Sequence, residues 1–179
     1  MIDQALSQYR DLRARADAKF SEIQTAYAAD FACRKGCHSC CKSGLTVNAI
    51  EREELRRFLV ARPELVEELR ALEVANPHKG KRCKFLGAAG DCRVYEARPL
   101  VCRTHGAPLQ FRPLDSRDEN LRARDVCPLN FTARGIGELP ATSVINLDTI
   151  NTLLALLCER GFPGVEERTA LSVGGVLGE

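Results

Sequence analysis

The sequence predicts a mainly α-helical fold: a small helical domain wrapped around a loop-rich region crowded with cysteines. Three observations predict it. Apolar residues recur at helical spacing towards both ends of the chain, that periodicity disappears between Asn76 and Pro140, and the aperiodic stretch carries Cys83, Cys92, Cys102 and Cys127. The 179 residues, 45% of them apolar, are enough for one hydrophobic core, and they exclude a disordered or collagen-like chain.

Each element follows from local pattern. Ile2, Leu6, Tyr9, Leu12, Ala16, Phe20, Ile23 and Tyr27 recur every three or four residues, which predicts one amphipathic helix over residues 2 to 30. Arg10, Arg13, Arg15, Asp17 and Lys19 take its other face, and without a strict heptad the helix reads as scaffold rather than coiled coil. A second helix is predicted after Asn48, whose side chain caps it in a capping-box arrangement with Glu51. Its stripe is Ile50, Leu55, Phe58 and Leu59, and it stops at Arg62-Pro63 because proline disfavours helical geometry in the residue before it. Pro63 suits the first turn of a third helix, with Leu65, Val66, Leu69 and Leu72 inward and Asn76-Pro77 as its end.

In the aperiodic stretch only short strands near Arg93–Tyr95 and Leu109–Arg112 are expected. A last helix is predicted over residues 142–159, with Val144, Ile145, Leu147, Ile150, Leu153, Leu154 and Leu157 apolar and Gly161 as its stop. The chain thus divides into an N-terminal helix (1–30), a cysteine-cluster domain (31–130), a C-terminal helix packing on that domain (131–162) and a mobile tail (163–179).

Charge and composition exclude several functions. A net charge of +2 offers no electrostatic footprint for nucleic acid or an anionic membrane, and aromatic residues for base stacking make up only 6% of the chain. The longest apolar run, Leu153 to Cys158, is far short of the roughly 18 residues a membrane span needs. The first ten residues are charged and lack the apolar core of a secretory signal, so a cytoplasmic location is expected. Thiols stay reduced there, and a dense cysteine pattern points to a metal or redox centre rather than to disulfides.

The cysteines fall in two groups: Cys33-x3-Cys37-x2-Cys40-Cys41, then Cys83, Cys92, Cys102 and Cys127. Cys158 follows leucines on the last helix and is expected in the core as a small hydrophobe. Setting it aside leaves eight, two full sets for tetrahedral zinc or for cubane iron–sulfur clusters. Soft sulfur selects such metals over magnesium or calcium. Arg34, Lys35 and Lys42 flank the first group, and Lys79, Lys81, Arg82 and Lys84 flank Cys83; cations of this kind stabilise thiolates. In extended backbone Cys40 and Cys41 would point to opposite faces and connect two nearby sites; in a helix, positions 33, 37, 40 and 41 would share one face. Cys37-His-Ser-Cys40 has the spacing of a thiol-redox motif but lacks a βαβ setting, and His38 and His105 are alternative ligands.

Together with Cys83-x-Phe85-Leu86, Cys92-Arg-Val-Tyr95 and Arg98-Pro99-Leu-Val-Cys102-Arg103, the first group resembles the YkgJ-type CxxCxxCC cysteine-cluster family, described as zinc- or iron-chelating and often labelled iron–sulfur oxidoreductases. The resemblance spans residues 31 to 130. It implies chelation by Cys33, Cys37, Cys40, Cys41, Cys83, Cys92 and Cys102, with Cys127 added on looser spacing. Arg98 and Arg103 are expected either to pair with a carboxylate or to donate hydrogen bonds to coordinating sulfurs. Tyr95 and Phe85 are expected to pack beside the site, and Pro99 to stiffen the approach to Cys102.

The expected function is a metal-binding protein in which zinc or iron organises the loop-rich region and presents a surface to a protein partner. The alternative is an iron–sulfur oxidoreductase or electron carrier with a redox partner, followed by metal storage or delivery. Cys33-x3-Cys37-x2-Cys40 also has the spacing of radical S-adenosylmethionine enzymes, but the chain lacks the strand–helix alternation of their barrel. No catalytic residue stands out, and neither nucleic acid nor a membrane is an expected partner.

Overall fold

The structure is a computed structural model describing residues 1–34, 36–75, 80–118 and 120–179. The expected Asn76-Pro77 helix stop, and the flanking Lys35 and Lys79, lie outside the described residues. Six α-helices and five short strands make up about half of the described residues, and helix far outweighs strand, so the fold is mainly α as the periodicity predicts. They belong to two compact units. Unit one comprises Met1–Leu6, Arg34–Pro99 and Cys158–Glu179, and unit two Ser7–Cys33 and Leu100–Leu157. Helix α1 (Ile2–Ala26) ends before the predicted residue 30, which falls instead in a 3-10 turn, Ala28–Asp30.

In unit one, α2 (Ala49–Val60) and α3 (Pro63–Ala75) start where the capping and proline arguments place them. Asn48 Oδ1 accepts the Glu51 backbone N–H at 3.2 Å, satisfying one of the donors that a helix start leaves open. The core joins Leu55 and Leu59 of α2 to Leu65 and Leu69 of α3 and to Phe85, Val94 and Ala97 beyond them. The segment expected to be a mobile tail completes this core. Strand β5 (Thr169–Ala170) pairs antiparallel with β1 (Thr46–Val47), and α6 (Val173–Leu177) buries Val173 and Val176. Ser172 Oγ caps α6 by accepting the Gly175 N–H at 3.1 Å, and Arg168 ties the segment to Thr46, its Nη2 donating to the Thr46 carbonyl at 2.7 Å. Small and polar residues between these few apolar positions hide the segment from a periodicity argument.

Unit two is built on a three-stranded sheet in the order β3-β2-β4. Strand β2 (Leu109–Phe111) pairs antiparallel with β3 (Ala123–Asp125) and parallel with β4 (Ile145–Asn146). The helix predicted over residues 142–159, α5 (Leu147–Gly161), therefore starts later than expected. Val144 and Ile145, counted in its apolar stripe, are instead buried beside and within β4, a β-branched pair that suits extended backbone. The strand expected at Arg93–Tyr95 is replaced by a bridge between Leu86 and Cys92 and a 3-10 turn, Tyr95–Ala97. Helix α4 (Leu100–Thr104), only five residues long, has no counterpart in the sequence reading. Phe31 packs edge-on against Phe20 and Phe131, with ring centroids 5.7 and 5.3 Å apart, and joins the apolar clusters of the unit. Arg124 Nη1 donates to the carbonyls of Ile136, Gly137 and Leu139, securing that loop without regular structure.

No helix among the described residues is long and apolar enough to cross a membrane. Deleting residues 172–179 withdraws two fully buried valines from unit one and is expected to cost about 2 kcal/mol or more. Urea unfolding measures this directly, and an unchanged midpoint would contradict the packing role of α6.

Candidate metal centre

In unit one a tight hairpin brings Cys83 and Cys92 within electrostatic reach of each other. Leu86 bridges Cys92, with Gly87 N–H donating to the Asp91 carbonyl at 2.7 Å and Arg93 N–H to the Phe85 carbonyl at 2.9 Å. Gly90 turns the hairpin at φ +82°, and a Cβ there would lie 2.5 Å from Cδ2 of His38, so the imidazole rests against a position that only glycine fills. The two cysteines share a local design. The Cys83 sulfur accepts the N–H of Phe85, and the Cys92 sulfur accepts the N–H of Val94, in each case two residues on. Phe85 and Val94 are themselves buried in the core. The apolar anchors thus aim backbone N–H groups at sulfur, an arrangement that favours thiolate.

Cys41 enters the same region through its backbone, its carbonyl accepting the Cys83 N–H at 3.0 Å beside the Lys42–Arg82 bridge. Arg82 Nη1 donates to the carbonyls of His38 and Ser39 at 3.1 and 3.3 Å and ties down the preceding turn. Within it Cys41 N–H bonds to the His38 carbonyl and Lys42 N–H to the Cys40 carbonyl. The chain at Cys40-Cys41 is therefore neither extended nor helical. Neither the extended nor the helical alternative applies here, and in this turn the two thiols hydrogen-bond to each other.

The electrostatics describe one neighbourhood. The hydrogen bond with Cys41, followed by burial, pushes the Cys40 thiol far above its ordinary range. Burial first pushes up both Cys83 and Cys92; Cys92 and then Cys40 add to the rise at Cys83, and Asp91 and then Cys40 add to it at Cys92. Arg98 opposes this at Cys40 and Cys92. Its guanidinium lies 3.6 Å above the Tyr95 ring, and its Nε donates to the Tyr95 carbonyl at 3.2 Å. Four negative sulfurs in half-buried surroundings would repel one another, and a soft cation is the species that offsets that repulsion. The donor chemistry of Cys40, Cys41, Cys83 and Cys92 thus fits zinc or iron. Among the described residues, no group of three or more His, Cys, Asp or Glu side chains stands at ligating geometry.

The remaining candidates divide between the units. Cys37 belongs to unit one, its N–H bonded to the Arg34 carbonyl at 2.9 Å. Cys33, Cys102 on α4 and the buried Cys127 belong to unit two. Arg103, also on α4, is buried and ion-paired with Asp17 of α1, the carboxylate partner among the two roles expected of it. Cys158 is half-buried rather than core, and its sulfur accepts the Ile50 N–H. Sequence reasoning missed Asn130. It is 2% exposed, and its Nδ2 donates to the Cys33 sulfur at 3.2 Å and to the Gly106 carbonyl at 2.7 Å. A lone asparagine in a loop three residues after Cys127 carries no pattern that would have marked it.

The thiol shifts set a pH dependence for the metal-free protein. Cys83 and Cys92 keep their protons in the folded state to higher pH than in the unfolded chain, so their contribution is complete below about 8.5, the unfolded value, and is lost as pH rises beyond it. The denaturation midpoint of metal-free protein is expected to fall as the pH is raised through about 9 to 10. A midpoint that held constant or rose would contradict the burial of these thiols.

No curated protein and no solved structure matches the chain. The model of the CxxCxxCC family, described as "Putative zinc- or iron-chelating domain", matches residues 32–128. That span takes in every cysteine but Cys158, together with the hairpin, the Cys40-Cys41 turn and α4. More than half of the chain is covered, and the protein belongs to the CxxCxxCC family.

Proposed function

We propose that this protein chelates zinc or iron through cysteine thiolates and that the bound metal organises the region between Cys33 and Cys127. The observation that carries this reading is the hairpin of unit one, which holds Cys83 and Cys92 within electrostatic reach of Cys40 and supplies each of the two with a backbone N–H. Cys40, Cys41, Cys83 and Cys92 would form one ligand set, which Arg98 serves as a nearby cation. The further ligands in this reading are Cys37 in unit one and Cys33, Cys102 and Cys127 in unit two. Metal held by such a set closes long loops and contributes folding free energy directly.

The residues around the set divide the work. Phe85 and Val94 fix the backbone whose N–H groups point at sulfur, and Arg82 holds the Cys40-Cys41 turn. Arg98 lowers the cost of gathering negative charge. The thiol protons leave as metal binds, so uptake is coupled to proton release.

Elemental analysis with acid-labile sulfide, on protein purified without oxygen, tests the reading. Zinc without sulfide supports a structural chelating module, and iron with sulfide supports a cluster that carries electrons. Absence of stoichiometric metal, in protein that also fails to take up zinc or iron, would overturn it. Cys83→Ser and Cys92→Ser are expected to lower bound metal and thermal stability together, as are Cys37→Ser and Cys102→Ser. Cys158→Ser is expected to leave metal content unchanged. Full metal retention in the first four variants would refute the ligand assignment.

A further inference from the structure

We infer that Asn130 is a positioning residue for Cys33, its carboxamide holding that sulfur as a hydrogen-bonded thiolate for a metal ion; the inference rests on the metal-chelating reading above. Asn130 lies outside the span that the family model matches. It is buried in unit two, and every polar atom of its side chain is used. Oδ1 accepts the Ala32 N–H at 2.8 Å, and Nδ2 donates to the Gly106 carbonyl at 2.7 Å and to the Cys33 sulfur at 3.2 Å.

These partners fix which way the amide faces. A backbone N–H only donates and a backbone carbonyl only accepts, so oxygen must face Ala32 and nitrogen must face Gly106. The second hydrogen of the NH₂ group is then committed to Cys33. As a thiol, Cys33 can also donate to Oδ1 across 3.7 Å, at the limit for sulfur. As a thiolate it is an acceptor alone, and the shorter contact from Nδ2 is the one that serves it.

The surroundings serve the same sulfur. Gly106 adopts φ +108°, and a Cβ at that position would stand 3.0 Å from Cys33 Sγ. The carboxamide stitches together three pieces of chain, each adjoining a different cysteine of unit two. Ala32 precedes Cys33, Gly106 follows the helix that carries Cys102, and Asn130 closes a turn on Cys127 through its N–H, 2.8 Å from the Cys127 carbonyl. A hydrogen bond from a fixed amide orients a metal ligand and tunes the donor strength of its sulfur, and removing such a partner typically costs about 10–100-fold in metal affinity.

Asn130→Asp tests this, because it keeps the shape and the Ala32 contact while replacing the donor with an oxygen. The probe is cobalt(II) added to the metal-free full-length protein, read by its sulfur-to-cobalt charge-transfer absorption and by its rate of loss to a chelator. Asn130→Asp is expected to move part of the absorption to lower energy, since a sulfur without its hydrogen bond gives up electrons more readily. One kinetic class of cobalt is expected to leave about 10–100-fold faster. The difference spectrum should fall in the band that Cys33→Ser alters, which identifies the sulfur concerned. Asn130→Ser, smaller but still able to donate, is expected to restore part of the wild-type absorption.

An Asn130→Asp protein with lowered thermal stability but wild-type absorption and release rates would overturn the inference and leave chelation standing. A difference spectrum unrelated to that of Cys33→Ser would do the same. Wild-type protein that takes up no cobalt, zinc or iron would overturn chelation and this inference together.

Discussion

Bringing several cysteine sulfurs into one half-buried neighbourhood is electrostatically unfavourable for their charged forms, and much of unit one addresses that constraint. The hydrogen bond with Cys41 at Cys40, and burial at Cys83 and Cys92, favour the protonated form of these thiols, and their mutual proximity adds to the effect. The counterweights are backbone N–H groups at Cys83 and Cys92 and the guanidinium of Arg98. The N–H groups are dependable because Phe85 and Val94 are anchored in the apolar core against which Cys83 and Cys92 also pack, so core packing determines the hydrogen bonds the sulfurs receive. A protein can in this way invest hydrophobic burial in local polarity.

The two units treat their cysteines differently. In unit one the hydrogen-bond donors are backbone groups set by a hairpin, which leaves the side chains at those positions free to fill the core. In unit two the donor at Cys33 is a buried side chain, and that side chain must also satisfy two backbone groups. A buried amide with all its partners made is rigid, whereas one left short of a partner is costly. Asn130 therefore tolerates little change, even though its segment has no regular structure.

Elements with a purely local cause were legible in the sequence. Helices α2 and α3 follow from the spacing of Leu55, Leu59, Leu65 and Leu69, and their starts from a capping asparagine and a proline. The candidate ligands were legible because eight soft donors at close spacing have few other uses. Where two patterns share residues the local pattern is ambiguous: Val144 and Ile145 suit a helix stripe and a strand equally, and only the pairing of Ile145 with Leu109 on β2 decides. The turn at Cys40-Cys41 fits neither alternative, because alternation assumes extended backbone and a shared face assumes a helix. Residues 163–179 were misread because Leu171, Val173 and Val176 have no periodic neighbours, and their burial comes from helices far away in sequence. The division of cysteines between the units, and the part played by Asn130, depend on the same long-range folding.

That closing segment also imposes an order on biosynthesis. Leu171, Val173 and Val176 belong to the same core as Phe85 and Val94, which aim the N–H groups at Cys83 and Cys92. On the ribosome the cysteine hairpin emerges well before the residues that seal the core behind it. For that interval the nascent chain carries open thiols on an unfinished scaffold, exposed to oxidants and to competing metals alike. For the proposed chelation, fidelity of metallation would then depend on how quickly residues 169–177 follow the hairpin out of the ribosome.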